Sequence, residues 1–110
     1  MDKLNEYRGI IRKVMGEYSA SSTRGGVTGE LVEDPKIDHF EVLRFGWDGH
    51  RRIHGSIVHL DIINGKIWVQ YDGTDRSVAE ELVRAGVPKE DIVLAEKPED
   101  LRPLTGYGVG

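Results

Sequence analysis

Apolar residues at Leu4, Tyr7, Ile11, Val14, Met15 and Tyr18 recur at spacings of three and four along a mostly polar segment. That is the stripe of an amphipathic helix over residues 2–19. Asp2 suits its first turn, where a negative charge opposes the positive helix end. Gly9 and Gly16 lie off the stripe and each weakens the helix by about 1 kcal/mol relative to alanine. The helix therefore depends on packing its stripe. The Ser- and Gly-rich stretch 19–26 is expected to end it as a loop.

Beyond Val27 the period changes from helical to two. Residues 27–33 alternate weakly and predict a short strand near a sheet edge. Asp34-Pro35-Lys36 is turn chemistry, with Pro35 barred from a central ladder. Residues 37–45 predict a second strand, with Phe40, Val42, Leu43 and Phe45 apolar. Its phase is ambiguous from Val42 onward, which implies a bulge or cover on both faces. Asp48-Gly49 offers a tight turn into a third strand beginning near Arg51 and ending at Ile63. Asn64-Gly65 then gives the strongest short hairpin signal, leading into a strand over 66–71.

A two-residue Asn64-Gly65 loop pairs Ile63 with Lys66, Ile62 with Ile67, Leu60 with Val69 and Val58 with Tyr71. Alternation then puts Val58, Leu60, Ile62, Ile67, Val69 and Tyr71 on one apolar core face. Ile57, His59, Asp61, Trp68, Gln70 and Asp72 fall on the other. A large aromatic such as Trp68 on that wetter face needs cover from a helix, a loop or a second subunit. Gly73-Thr74 is expected to start a second helix with Thr74 as its N-cap. Val78, Ala79, Leu82 and Val83 form its stripe, and Gly86 and Pro88 stop it. Residues 88–91 read as one helical turn and 92–94 as a short buried extended piece. The Pro- and Gly-rich tail is expected to be irregular, with Tyr107 and Val109 available to pin it down.

These elements amount to one α+β domain over residues 1–110. It comprises an N-terminal helix, a four-stranded antiparallel β-meander, a second helix and an irregular C-terminal tail. At 110 residues the chain can bury about two-thirds of its unfolded surface in one core. With 31% charged and 38% hydrophobic residues, it has a globular composition. The net charge of −4 disfavours unaided DNA binding, which usually draws on a basic excess. The absence of cysteine removes disulfides, zinc knuckles and thiol nucleophiles, and fits a reducing compartment. Neither a signal-like N-terminus nor an apolar run of spanning length is visible, so a cytoplasmic location is expected.

Candidate chemistry is sparse. His59 and Asp61, two apart on a strand, share a face and could orient a general base or supply two metal ligands. With no third ligand and no nucleophile in view, a half-exposed polar face beside a subunit contact is the simpler reading, and no catalytic, cofactor or metal residues are assigned. Arg44, His50, Arg51 and Arg52, with His54 nearby, form the local basic cluster. It suits phosphate or an acidic partner, against the plainer reading of a solvated hairpin end. Alternation sends Arg51 and Arg52 to opposite faces. Neither Gly46-Trp47-Asp48-Gly49 nor Asp72-Gly73-Thr74 has the glycine-lysine spacing of a phosphate loop.

The run Gly46 to Gly55 (GWDGHRRIHG), continuing through His59 to Thr74 (HLDIINGKIWVQYDGT), closely resembles the XisI family. So do the opening MDKLNEYR, the stretch AGVPKEDIVL at 85–94 and the closing Thr105-Gly106-Tyr107. The resemblance covers essentially the whole chain and is least distinctive over 19–37. XisI-like proteins are fdxN element excision controlling factors of heterocyst-forming cyanobacteria, acting with a XisH partner on a site-specific recombinase. The resemblance thus implies a small α+β fold, a homo-oligomer, and a non-enzymatic regulator of DNA rearrangement without cofactors. It implies no catalytic residues. The expected protein contact surface is Ile57, His59, Trp68 and Gln70. The alternative is a DNA-binding module using the basic end around Arg51 and Arg52.

Overall fold

The computed structural model describes residues 2–110. Helix α1 (Lys3–Ser22) buries Tyr7, Ile11, Val14, Met15 and Tyr18, the stripe read from the sequence. Asp2 is its N-cap, and the carboxylate accepts from the Leu4 N–H at 2.9 Å. The helix runs three residues past its expected end at Ser19. Serine hydroxyls that would compete with a helix here bond back to it instead: Ser19 to the Gly16 carbonyl, 3.0 Å, and Ser21 to that of Tyr18, 3.1 Å. Thr23 then accepts from the Gly29 N–H at 2.9 Å, stitching the helix end to the first strand.

Strands β1 (Val27–Asp34), β2 (His39–Asp48), β3 (Arg51–Ile63) and β4 (Lys66–Asp72) form the expected antiparallel meander. A fifth strand, β5 (Ile92–Leu94), adds to β4 in parallel, so the sheet has five strands in the order β1-β2-β3-β4-β5. The meander was legible because its turns are local. β5 is three residues long and reaches β4 only after helix α2 (Val78–Arg84), a non-local pairing that periodicity does not reveal. Phe40, Val42, Val58, Leu60, Ile62, Ile67 and Val69 are buried on one sheet face in a common cluster with the α1 stripe and with Val78, Ala79 and Leu82 of α2. This is a two-layer core.

The Asn64-Gly65 turn has both residues at positive φ, 51° and 78°. It sets Ile63↔Lys66, Ile62↔Ile67 and Leu60↔Val69 as expected. The ladder then slips. Gln70 is an extra residue, so Tyr71 faces His59 and Val58 faces Asp72. The expected Val58–Tyr71 pair is therefore absent: Tyr71 leaves the core face and is 45% exposed, its ring lying against Gly73. A second slip falls at Val42/Leu43, where the phase of β2 was ambiguous, and makes Ile57 the extra residue on β3.

Thr74 does not cap α2. The Asp72 carboxylate takes up the N–H groups of Thr74, 3.0 Å, and Val78, 2.9 Å, and Ser77 caps by accepting from Glu80 N–H at 3.2 Å. The helix ends at Gly86, where Val87 N–H bonds the Leu82 carbonyl and Gly86 N–H that of Val83, both 3.0 Å. A short 3₁₀ turn, Lys89–Asp91, leads into β5, and a second, Glu99–Leu104, orders part of the tail. Tyr107 packs against the core and Gly108 bonds the Lys89 and Ile92 carbonyls. Val109, expected to help pin the tail, is 51% exposed.

Candidate functional site on the outer sheet face

Alternation turns the residues between the buried ones on β2, β3 and β4 away from the helices. The register places His39 opposite Asp61, Glu41 opposite His59, and Asp61 opposite Trp68. A compact polar cluster results. The Asp61 carboxylate meets His39 Nδ1 at 2.8 Å through Oδ1 and His59 Nε2 at 3.0 Å through Oδ2. The other nitrogen of His39, Nε2, lies 2.8 Å from Glu41 Oε2. The two imidazoles meet edge to face, centroids 4.4 Å apart. All four side chains are partly shielded yet reachable from solvent.

The Glu41 carboxylate, and after it Asp61, raises the His39 pKa above its ordinary value, overcoming the opposing effect of partial burial. Burial alone would raise Glu41; its bonds to His39 and Ser56 outweigh that and hold it lower. The ligand-capable atoms of His39, His59 and Asp61 all lie within 4.8 Å of one another.

His39 is the residue that reading the sequence missed. The turn between β2 and β3 pairs Asp48 with Arg51, with Gly49 and His50 as loop residues. That register, continued without interruption, puts His39 opposite Leu60. Only the extra residue at Ile57 moves it opposite Asp61. The ambiguous phase at Val42 was the available signal.

The expected contact patch is divided. His59 and Gln70 remain half-buried on β3 and β4, but Ile57, displaced by the bulge, packs against the core. Trp68 is covered by its own chain's tail. The Arg102 guanidinium lies 5.2 Å from its ring centroid, Gly110 sits against the ring edge, and Lys66 Nζ donates to the Gly110 carbonyl at 3.0 Å.

Arg44, His50, Arg51 and Arg52 are all exposed. Arg44 and Arg51 line one concavity with Arg24, Gly25, Gly26, Trp47 and Asp48. Arg52 stacks on Trp47, 5.4 Å from its ring centroid, and Trp47 is 54% exposed. Arg24 joins through a tight end of the β1–β2 ladder: Trp47 N–H bonds the Gly26 carbonyl at 3.0 Å, and a Cβ at Gly46 (φ 143°) would lie 2.0 Å from that oxygen. Arg24 did not stand out in the sequence, and nothing local there links residues 24–26 to Trp47.

Among the described residues, no helix is long and apolar enough to cross a membrane. The XisI protein family model matches residues 1–109. The fold is similar to the crystal structure of a XisI-like protein from Anabaena variabilis ATCC 29413, with 39% identity, a TM-score of 0.89, and coverage of 97% of this chain and 99% of that one. It is also similar to fdxN element excision controlling factor XisI from the same strain, with 34% identity, a TM-score of 0.81, and coverage of 99% and 100%. Comparison with curated proteins gives no match.

Proposed function

The chain belongs to the XisI family, and from that membership we propose that it is a non-catalytic accessory factor controlling site-specific excision of a DNA element of the fdxN kind. It acts through protein contacts, with a XisH-like protein and a recombinase as partners, and as a homo-oligomer in the cytoplasm. The observation that carries this reading is the match over nearly the full length, together with the full-length likeness to a protein named an excision controlling factor. The net charge of −4 supports contact with protein over unaided contact with DNA.

The contact surface is the outer face of β1–β3 and the adjoining part of β4. Val32, opposite Glu41 on β1, is 38% exposed there, and His39, Glu41, His59 and Gln70 are half-buried beside it. A capture assay with a purified XisH-like protein tests the proposal. Placing a charge on this face, Val32→Arg with Gln70→Arg, weakens capture at least about tenfold while the far-UV spectrum is retained. Unchanged capture by the folded double variant would overturn the assignment of the surface.

A second reading is favoured by the arginine end. Arg24, Arg44 and Arg51 surround one concavity beside the Trp47–Arg52 stack, which suits a phosphate backbone and a base face. Gel-shift titration then gives salt-dependent retention of DNA that drops on Arg51→Ala with Arg52→Ala. Absence of retention at low salt disposes of this reading.

A further inference from the structure

We infer that His39, His59 and Asp61 form a binding site for a divalent transition-metal ion on the outer sheet face, with Glu41 as the carboxylate that positions His39. The third ligand absent from the local His59-Asp61 pair is supplied across the strand boundary by the β2–β3 register. Asp61 lies 2.8 Å from one ring nitrogen and 3.0 Å from another. Two ligand atoms so spaced subtend about 90° at an ion about 2.1 Å from each, the angle of neighbouring ligands in an octahedral or five-coordinate site.

Ligand atoms shared by one such ion lie no more than about 4.2 Å apart, so small rotations at the ends of three partly exposed side chains close the set. Ligation needs an unprotonated nitrogen on each ring, so uptake of the ion is coupled to release of any proton held there to water. Glu41 supplies the feature that separates a built site from a chance cluster. Its carboxylate lies 2.8 Å from Nε2 of His39, so with an ion bound it accepts the Nε2–H and Nδ1, on the Asp61 side, is the nitrogen that ligates. Carboxylate–histidine–metal relays of this kind fix tautomer and ring orientation in metalloproteins.

Two imidazoles and one carboxylate, with no thiolate in the chain, select zinc, nickel or cobalt over calcium or magnesium. The cluster faces outward with the three side chains 25%, 30% and 18% exposed, so positions on the ion remain open to water or to a donor from outside the chain. The site stands independently of the excision reading, since it rests on distances within one sheet.

Calorimetric titration of the untagged, chelator-treated protein with zinc tests this, with cobalt absorption as a second readout of coordination. The wild type binds one zinc per chain. His39→Ala and His59→Ala each abolish that stoichiometric binding, and His59→Gln, which keeps a polar side chain on the strand, does the same. Glu41→Gln weakens it by about 10–100-fold, as loss of an orienting carboxylate does. His50→Ala with His54→Ala leaves it unchanged, separating the site from adventitious surface histidines. The inference is overturned if the wild type takes up no zinc at millimolar concentration. It is equally overturned if stoichiometric binding survives both His39→Ala and His59→Ala. Full affinity in Glu41→Gln would remove Glu41 from the site.

Discussion

Replacing Tyr7 by phenylalanine removes one oxygen and leaves the buried ring in place. Tyr7 is 3% exposed, and its hydroxyl donates to the carboxylate of Asp91, itself 9% exposed. Lys3 Nζ contacts the same carboxylate at 2.8 Å from a largely exposed position. This tie joins the first two turns of α1 to the residue preceding β5, so it holds the parallel edge of the sheet onto the helix layer. A hydrogen bond to a charged group contributes about 1.5–3 kcal/mol. Lys3 remains as a partner for Asp91 in the variant, which places the expected loss near 2 kcal/mol, or about 8–10 °C in Tm for a domain of this size.

Urea unfolding followed by far-UV circular dichroism measures it, with an unchanged m-value showing that the unfolded state is unaltered. The pH dependence gives a further check. Burial alone would raise Asp91, but Lys3 and Tyr7 outweigh it and hold its pKa below the ordinary aspartate value. A depressed carboxylate stabilises the fold above its unfolded pKa, and that contribution is lost as the pH falls through the folded value. The gap between wild type and Tyr7→Phe therefore narrows in acid. Burial first, and then Asp91, pushes the Tyr7 pKa up to about 12, so the wild type alone loses this group's contribution as the pH rises from 10 through that value. A loss below about 0.5 kcal/mol, or a gap constant across the acid range, would refute the reasoning.

Other outcomes follow from the same geometry. Asp72→Ala leaves the N–H groups of Thr74 and Val78 without their acceptor and destabilises by about 1–3 kcal/mol in urea unfolding; an unaffected midpoint would mean that water replaces the carboxylate without loss. In a Trp47→Phe background, Arg102→Ala uncovers Trp68, so tryptophan emission shifts to the red while stability falls by only about 0.5–1 kcal/mol; emission that does not move contradicts the tail cover. The fork of Arg8 on Asp38 and that of Arg12 on Glu33 hold both carboxyl groups below their ordinary values. Their stabilisation is complete above the ordinary carboxylate range and fades as the pH falls through the folded values, so Arg8→Met with Arg12→Met flattens the acid limb of the stability curve.

The sequence carried what local periodicity and turn chemistry determine. The α1 stripe is buried as spaced, Asn64-Gly65 sets the pairing out to Leu60 and Val69, and Gly86 stops α2. What escaped depends on single inserted residues and on partners distant in the chain. Gln70 and Ile57 each add one residue to a ladder, and each re-aims everything beyond it: Tyr71 leaves the core face, Ile57 leaves the proposed contact patch, and His39 arrives beside Asp61. The cover on Trp68 comes from Arg102 and Gly110, more than thirty residues on, and Arg24 is brought beside Trp47 by the tight end of the β1–β2 ladder. An unbroken two-residue alternation contains none of this.

The proposed control of excision acts through the outer face of the sheet. Amplification of the junction left by an excised element, in a host lacking the native copy and supplied with each variant, measures it directly. Excision is expected to be restored by the wild type and by Arg51→Ala with Arg52→Ala, and lost with Val32→Arg and Gln70→Arg combined. Excision that proceeds equally without the chain, or that depends on the arginines and ignores the sheet face, contradicts it.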